Sequence, residues 1–152
     1  MASKKGTARA DFGLKLLQLG RLWRHAVDAE IQRDTFPDAG WRALFWLHRL
    51  GEGPRQKELA AAMGIEGPSL VRLLDGLCGA GLVLREADGA DGRAYRLRLT
   101  PEGRTAARRI EARLRKAEDV LLDGIGEEEL ARCAALLGLI EDRLLARRGE
   151  RR

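Results

Sequence analysis

The chain has 152 residues, with 28 Lys and Arg against 23 Asp and Glu, a formal net charge of +5, and 45% hydrophobic residues. That length suits one compact core or two small subdomains sharing helices, and seven aromatics (three Trp, three Phe, one Tyr) in a Leu- and Ala-rich chain favour a mostly helical protein. No apolar run reaches the roughly 18 residues of a membrane span, and two His with two Cys in no metal-ligand spacing, no phosphate-binding glycine loop and no Ser/His/Asp constellation argue against an enzyme, a metal site or a cofactor.

The opening residues, with Lys4, Lys5 and Arg9, read as a basic disordered arm up to about residue 10, and no signal-peptide core follows them. A cytoplasmic location is expected. From Ala10 to Arg33 a long helix is predicted, with Leu16, Leu19, Trp23 and Ala26 as its stripe. Thr35-Phe36-Pro37-Asp38 interrupts it, and Asp38 is placed to cap a second helix, Ala39 to Leu50, in which Trp41, Leu44, Phe45 and His48 share a side. Gly51-Glu52-Gly53-Pro54 ends that helix.

Residues 55 to 79 then give a short apolar-periodic helix, a tight break, and a second helix opened by Gly67-Pro68, a favourable start because Pro at the first position lacks only an orphan donor. Leu70, Leu73, Leu74 and Leu77 recur at three and four and share a buried face. Ser69 and Arg72 lie on another face of the first turn, where a recognition helix meets base edges and an arginine presents a bidentate fork to guanine. Taken alone, the pattern better suits a buried helix pair carrying two solvated polar residues.

Leu82-Val83-Leu84 is a short strand-like run, and Tyr95, Leu97 and Leu99 alternate with Ala94, Arg96 and Arg98 as in a strand with one buried face. Between them the loop Asp88-Gly89-Ala90-Asp91-Gly92 holds two turn dipeptides and leaves Arg93 at its exit. A basic tip of this size fits a narrow minor groove, and Asp91 is placed to brace the Arg93 guanidinium. Charge is not spread evenly: residues 85 to 104 carry five Arg against four acids, whereas 104 to 116 carry six basic residues against Glu111.

After Thr100-Pro101, a cap and first-turn pair weakened by Gly103, a long helix is predicted with Ile110, Leu114, Ala117 and Leu121 on one side. Asp123-Gly124-Ile125-Gly126 breaks it. Glu127 to about Arg147 resumes helix with Leu130, Cys133, Leu137, Ile140 and Leu144 as its stripe. Cys78 and Cys133 both fall on apolar helical faces, so both are expected reduced and buried. These surplus stripes exceed what the helix pair and its hairpin bury, which points to a second copy of the chain as their partner.

Residues 55 to 103 closely resemble the winged-helix segment of the MarR family of transcriptional regulators. GIEGPSLVRLLDGLCGAGLV looks most like its SlyA branch, and Asp91 to Gly103, DGRAYRLRLTPEG, is similar to the family's D-x-R wing followed by L-T-x-x-G. The resemblance implies a mainly α fold with a small β-hairpin wing: an N-terminal arm and dimerisation helix (1–35), a winged helix-turn-helix domain (36–103) and C-terminal dimerisation helices (104–152). It puts Pro68, Ser69, Leu70 and Arg72 against DNA and Arg93 in the minor groove, so that the expected DNA-contacting set is Pro68, Ser69, Leu70, Arg72, Asp91, Arg93 and Arg96. Two departures stand out: Gly92 where many members have another arginine, and Arg55 where a capping Ser or Thr is frequent. The function implied is a homodimeric regulator that reads a palindromic operator in double-stranded DNA and answers to a small aromatic acid or phenol. Trp23, His25, Trp41, Trp46 and His48 are the residues expected near such an effector. The competing reading is an architectural or protein-interaction winged helix with no effector.

Overall fold

The computed structural model describes residues 5–32, 40–51, 53–89 and 91–149, the side chains of 5–10, 32, 91–94 and 148–149 excepted. In chain order the described residues form α1 (Lys5–Gln32), α2 (Gly40–Leu50), α3 (Gln56–Met63), α4 (Gly67–Gly79), β1 (Val83–Asp88), β2 (Asp91–Leu99), α5 (Pro101–Leu121) and α6 (Glu127–Gly149). They divide into two units, Met1–Ala117 and Glu118–Arg152.

The first unit is built around one apolar cluster. Val27 and Ile31 of α1 meet Trp41, Ala43, Leu44 and Leu47 of α2, and Leu59, Leu70, Leu74 and Leu77 come from the helix pair α3–α4. Val83 and Leu97 of the hairpin and Ala106, Ala107 and Ile110 of α5 complete it. The ends of the flanking helices therefore share the core of the winged helix. Two polar ties fix them: Asp28 accepts hydrogen bonds from Arg42 Nη2 at 2.6 and 2.7 Å and from Trp41 Nε1 at 3.2 Å. Arg113 Nη1 donates to the Glu30 carbonyl at 3.3 Å, satisfying an acceptor in the last turn of α1.

Two sequence expectations for α1 need revision. The helix begins at Lys5, so residues 5–10 are not an irregular arm; Thr7-Ala8-Arg9-Ala10 has enough helix formers to extend the following turns. Its buried contacts come from Val27 and Ile31, while Leu16 and Leu19 of the expected stripe are exposed and Trp23 and Ala26 are half-buried. Helix α2 starts at Gly40, and the expected break and cap at Thr35 to Asp38 lie outside the described residues.

The turn between α3 and α4 is a Schellman motif: Gly64 takes the left-handed conformation at φ 64°, and Ile65 N–H reaches the Ala60 carbonyl at 3.1 Å. At the other end of α3 the N-cap is Arg55, which has no side-chain acceptor. Only half of a capping box forms, with Glu58 Oε2 accepting the Arg55 backbone N–H at 2.6 Å. Forgoing a Ser or Thr cap costs about 1 kcal/mol, and the Arg55 guanidinium is used elsewhere, as described below.

The hairpin is longer than the apolar runs suggested. Strands β1 and β2 pair antiparallel in the register Val83↔Leu99, Arg85↔Leu97 and Ala87↔Tyr95, with an irregularity after Ala87 that brings Asp88 opposite Asp91. Arg85 and Glu86 belong to the strand because their charges are matched, Arg85 by Asp75 of α4 at 2.7 Å and Glu86 by Arg98 at 2.6 Å. The expected loop shrinks to positions 89–90, of which Ala90 lies outside the described residues. Tyr95 departs from the buried alternation at 56% exposure, since the helices cover the hairpin only as far as Leu97 and Leu99. Pro54 and Arg55 add a fragment of a third strand: Leu97 N–H donates to the Pro54 carbonyl at 3.0 Å and Arg55 bridges Arg96.

Helix α5 opens as its sequence suggests, with Thr100 Oγ1 accepting the Gly103 N–H at 2.9 Å while donating to the Gly81 carbonyl at 2.8 Å. Gly103 has its own reason: a Cβ there would sit 2.0 Å from the Leu82 carbonyl oxygen, so only glycine lets α5 start this close to β1.

In the second unit α6 follows a turn in which Gly126 N–H donates to Glu129 Oε2 at 2.9 Å. Its expected stripe is not buried: Leu130 and Ile140 are half-buried, and Leu137, Leu144 and Cys133 are exposed. Cys133 is thus not the buried thiol the periodicity implied, because that stripe has no covering helix within its own unit, and Cys78 is half-buried. Among the described residues no helix is long and apolar enough to cross a membrane.

Candidate nucleic-acid interface

Helix α4 is held by one side and bare on the other. Leu70 and Leu74 are fully buried and Leu77 nearly so, whereas Pro68, Ser69, Val71, Arg72, Asp75 and Gly76 are exposed. A spacing of 3.6 residues per turn puts Pro68, Arg72 and Asp75 at the centre of the outward face, with Ser69 and Val71 on its two flanks. Among the described residues Arg72 has no hydrogen-bond or ion-pair partner, so its five donors are available to a ligand. Leu70 is at 0% exposure, so its side chain belongs to the core and not to a DNA-facing surface. That separates the two roles the sequence allowed it.

Asp75 is the acidic intruder on this face. Its pairing with Arg85 at 2.7 Å offsets the charge and ties the middle of α4 to the root of β1. Val71, a β-branched apolar residue 39% exposed, was not among the expected contacts. The signal was present: it lies off the Leu70, Leu74 and Leu77 stripe, and an apolar residue off the stripe has no packing duty.

The wing residues divide. Asp91 and Arg93 have their backbone in β2, and their side chains lie outside the described residues. Arg96 is engaged within the chain: Nη1 donates to the Gly53 carbonyl at 3.1 Å and Nε lies 3.4 Å from Asp88 Oδ1. Its expected role as a DNA contact competes with that bracing. Asp88, at 3% exposure, also receives Arg55, whose Nε and Nη2 reach Oδ2 at 2.8 and 2.7 Å. Nothing local announces this pair, because its members stand 33 positions apart.

The basic run at the start of α5 is largely occupied. Arg104 donates to the Leu99 carbonyl, Arg108 to the Arg104 carbonyl and Arg113 to Glu30, while Arg115 pairs with Glu111 at 3.2 Å. His48 Nε2 and Arg49 Nε approach the same Glu111 at 3.7 and 4.0 Å.

The five residues expected near an effector differ in setting. Trp41 is buried and bonded to Asp28, Trp23 and Trp46 pack half-buried against the core, His25 is exposed, and Trp46 stands edge-on to Phe45 at 5.7 Å. Of the five, His48 lines a cavity of about 220 Å3, together with Leu47, Gly51, Gly53, Leu97, Arg98, Leu99 and Arg104. Among the described residues no cluster of His, Cys, Asp and Glu could hold a metal ion.

The comparisons with known proteins agree with this architecture. The family model described as the MarR family matches residues 35–94. Transcriptional regulator PA3341 is 39% identical, with 89% of this chain and 98% of that chain covered at a TM-score of 0.82. A MarR-family transcriptional regulator from Rhodococcus sp. RHA1 is 26% identical over 91% and 96% of the two chains, at 0.77. CouR from Rhodococcus jostii RHA1, solved bound to p-coumaroyl-CoA, is 26% identical over 86% and 91%, at 0.73. The transcriptional regulator SlyA, 18% identical over 85% of this chain and 93% of that chain at a TM-score of 0.75, shares the fold.

Proposed function

The chain belongs to the MarR family of transcriptional regulators, and on that premise we propose that it acts as a homodimer reading an inverted repeat in double-stranded DNA. The observation that carries the reading is α4: three buried leucines hold it in the core while Ser69 and Arg72, the latter without a partner among the described residues, stand exposed in its first turns, beside a two-stranded wing. Such a helix enters the major groove by its N-terminal end, Arg72 pairs with guanine O6 and N7, and Ser69 bonds a phosphate or a base edge. Arg93 at the wing reads the width of the adjacent minor groove.

Support for the dimer comes from bare apolar surface. Leu14, Leu16, Leu17, Leu19 and Leu22 are exposed on α1, and Leu136, Leu139, Leu144 and Leu145 on α6. Leucine stripes of this extent are covered in a stable protein, and a second copy covers them with a two-fold axis. Two recognition helices then meet half-sites about one helical turn, roughly 10 bp, apart.

An effector of the small aromatic acid class is the finer part of the proposal. The cavity beside His48 supports it, with Leu47, Leu97 and Leu99 as apolar lining and His48, Arg98 and Arg104 as donors for a carboxylate. A ligand there acts only by favouring one spacing of the DNA-binding heads over another.

Selection of bound sequences from a random duplex pool tests the core reading. A two-fold symmetric consensus is expected; equal retention of every duplex indicates a non-specific architectural protein, and no retention indicates a protein-interaction winged helix. Titrating salicylate while following tryptophan fluorescence and operator affinity tests the effector, and no change in either counts against that class.

A further inference from the structure

The contact between Arg55 and Asp88 is more than a filler between a loop and a strand. Asp88 is the last residue of β1, next to the two-residue turn, and it faces Asp91 across the hairpin two positions before Arg93. It is buried to 3% exposure yet carries a charge, and two arginines meet it from different elements: Arg55 through two donors on Oδ2 and Arg96 on Oδ1. Arg96 also holds the Gly53 carbonyl, and Pro54 accepts the Leu97 N–H, so the segment 53–55 is laced to β2 along its length. Position 55 is the N-cap of α3, where an acceptor side chain would serve the helix better than a guanidinium can. The residue found there serves the hairpin instead.

We infer that Arg55 is a positioning residue for DNA recognition: by gripping Asp88 it fixes the angle at which the wing leaves the helix pair, and with it the place where Arg93 meets the minor groove. The inference rests on the DNA-binding reading above. A two-stranded ribbon projecting beyond its core swings at its base, because its own ladder restrains only the two strands against each other. The grip is bidentate in donors and largely withdrawn from water, which makes it directional as well as attractive. It joins the wing to the loop that starts α3, and α3 packs with α4 in the same cluster. Wing and recognition helix are thereby held in one frame.

The test uses the full chain and duplexes carrying its selected operator, flanked either by A·T or by G·C pairs where the wing would reach. Wild type should prefer A·T flanks by roughly fivefold or more. Arg55→Ser, which supplies a good N-cap, should bring that ratio close to one while leaving discrimination at the Arg72 base pair intact. In an Arg93→Ala background, adding Arg55→Ser should not change the ratio further. Asp88→Asn should behave as Arg55→Ser does, and it serves as the second variant if the first fails to fold. A merely stabilising contact predicts otherwise: an Arg55→Ser chain that keeps the wild-type flank ratio, or an affinity loss that adds to Arg93→Ala on both flanks alike, overturns the proposal. If wild type selects an operator but ignores its flanks, the proposal fails and the DNA-binding reading stands; if wild type selects no duplex, both fall together.

Discussion

Replacing Gly103 by Ala should destabilise the protein, although Ala is the better helix former. Inside a helix the exchange is worth about 0.8–1.0 kcal/mol in favour of Ala. Here the new Cβ would lie 2.0 Å from the Leu82 carbonyl oxygen, 3.0 Å from its carbon and 3.3 Å from Leu99 Cδ2. An ordinary carbon–oxygen contact is about 3.3 Å, so α5 or the start of β1 must retreat by roughly 1.3 Å. The carbonyl that would be struck is the one that accepts the Thr100 N–H at 3.1 Å, and Thr100 Oγ1 is bonded to Gly81 beside it at 2.8 Å. Retreat therefore loosens two hydrogen bonds worth about 0.5–1.5 kcal/mol each and adds overpacking strain of about 1–3 kcal/mol. Against the propensity gain, the net loss is about 1–5 kcal/mol, or roughly 2–20 °C in melting temperature for a chain of this size. Circular-dichroism melts at one fixed protein concentration measure it, since an oligomer's midpoint moves with concentration. Gly76→Ala on α4 is the control: nothing lies within 4 Å of its Cβ, so it should be neutral or stabilising. If both variants melt at or above wild type, the close approach of α5 to Leu82 is not what requires glycine at position 103.

Arg72→Ala should weaken binding to the selected operator by about 1–3 kcal/mol, five- to 150-fold, and weaken random duplex much less; fluorescence anisotropy at fixed salt shows it, and an equal loss on both reduces Arg72 to a phosphate anchor. Val71, exposed on the same helix, should contact a thymine methyl. Replacing thymines by uracil one at a time in each half-site should then reveal a position that costs wild type a few-fold in affinity and costs Val71→Ala nothing; a wild type indifferent to uracil throughout refutes the contact. Leu17→Asp alters an exposed side chain of α1 and should spare the fold of the single chain while splitting the proposed homodimer, with operator affinity lost in step. Sedimentation tests this, and a variant that stays dimeric removes that face of α1 from the interface.

Much of the fold was legible because helices of 11 to 28 residues leave repeated periodic signals. Leu70, Leu74 and Leu77 announced the buried side of α4, and the run Leu-Thr-Pro-Glu-Gly announced the start of α5. What stayed hidden is non-local. Arg55 looked like a poor cap because its value lies in Asp88, on an element that no local period connects to it. Tyr95 looked buried because alternation names a face of a strand and says nothing of how far the neighbouring helices extend over it. The burial of Trp41 and the half-burial of Trp23 and Trp46 were not readable in advance, because sequence gives their order on α1 and α2 but not which neighbours cover them. Val71 was legible in principle and passed over, being apolar in a stretch already rich in apolar residues.

Helix α1 is embedded at one end and bare along the other. Its Val27 and Ile31 sit in the core and Asp28 is clasped by Trp41 and Arg42, while Phe12 through Leu22 carry the exposed apolar side chains. From Ile31 back to Phe12 the axis covers about 28 Å at 1.5 Å per residue. It is in effect a lever with its fulcrum at Asp28: a tilt of roughly 10° there displaces Phe12, about 24 Å along the axis, by about 4 Å, more than the 3.4 Å rise of one base pair. In a dimer clamped at the far end, the heads would move by that amount instead. In the proposed dimer, a change of packing around Trp41 that tilted α1 by this angle would carry the reading heads out of step with the turns of the double helix.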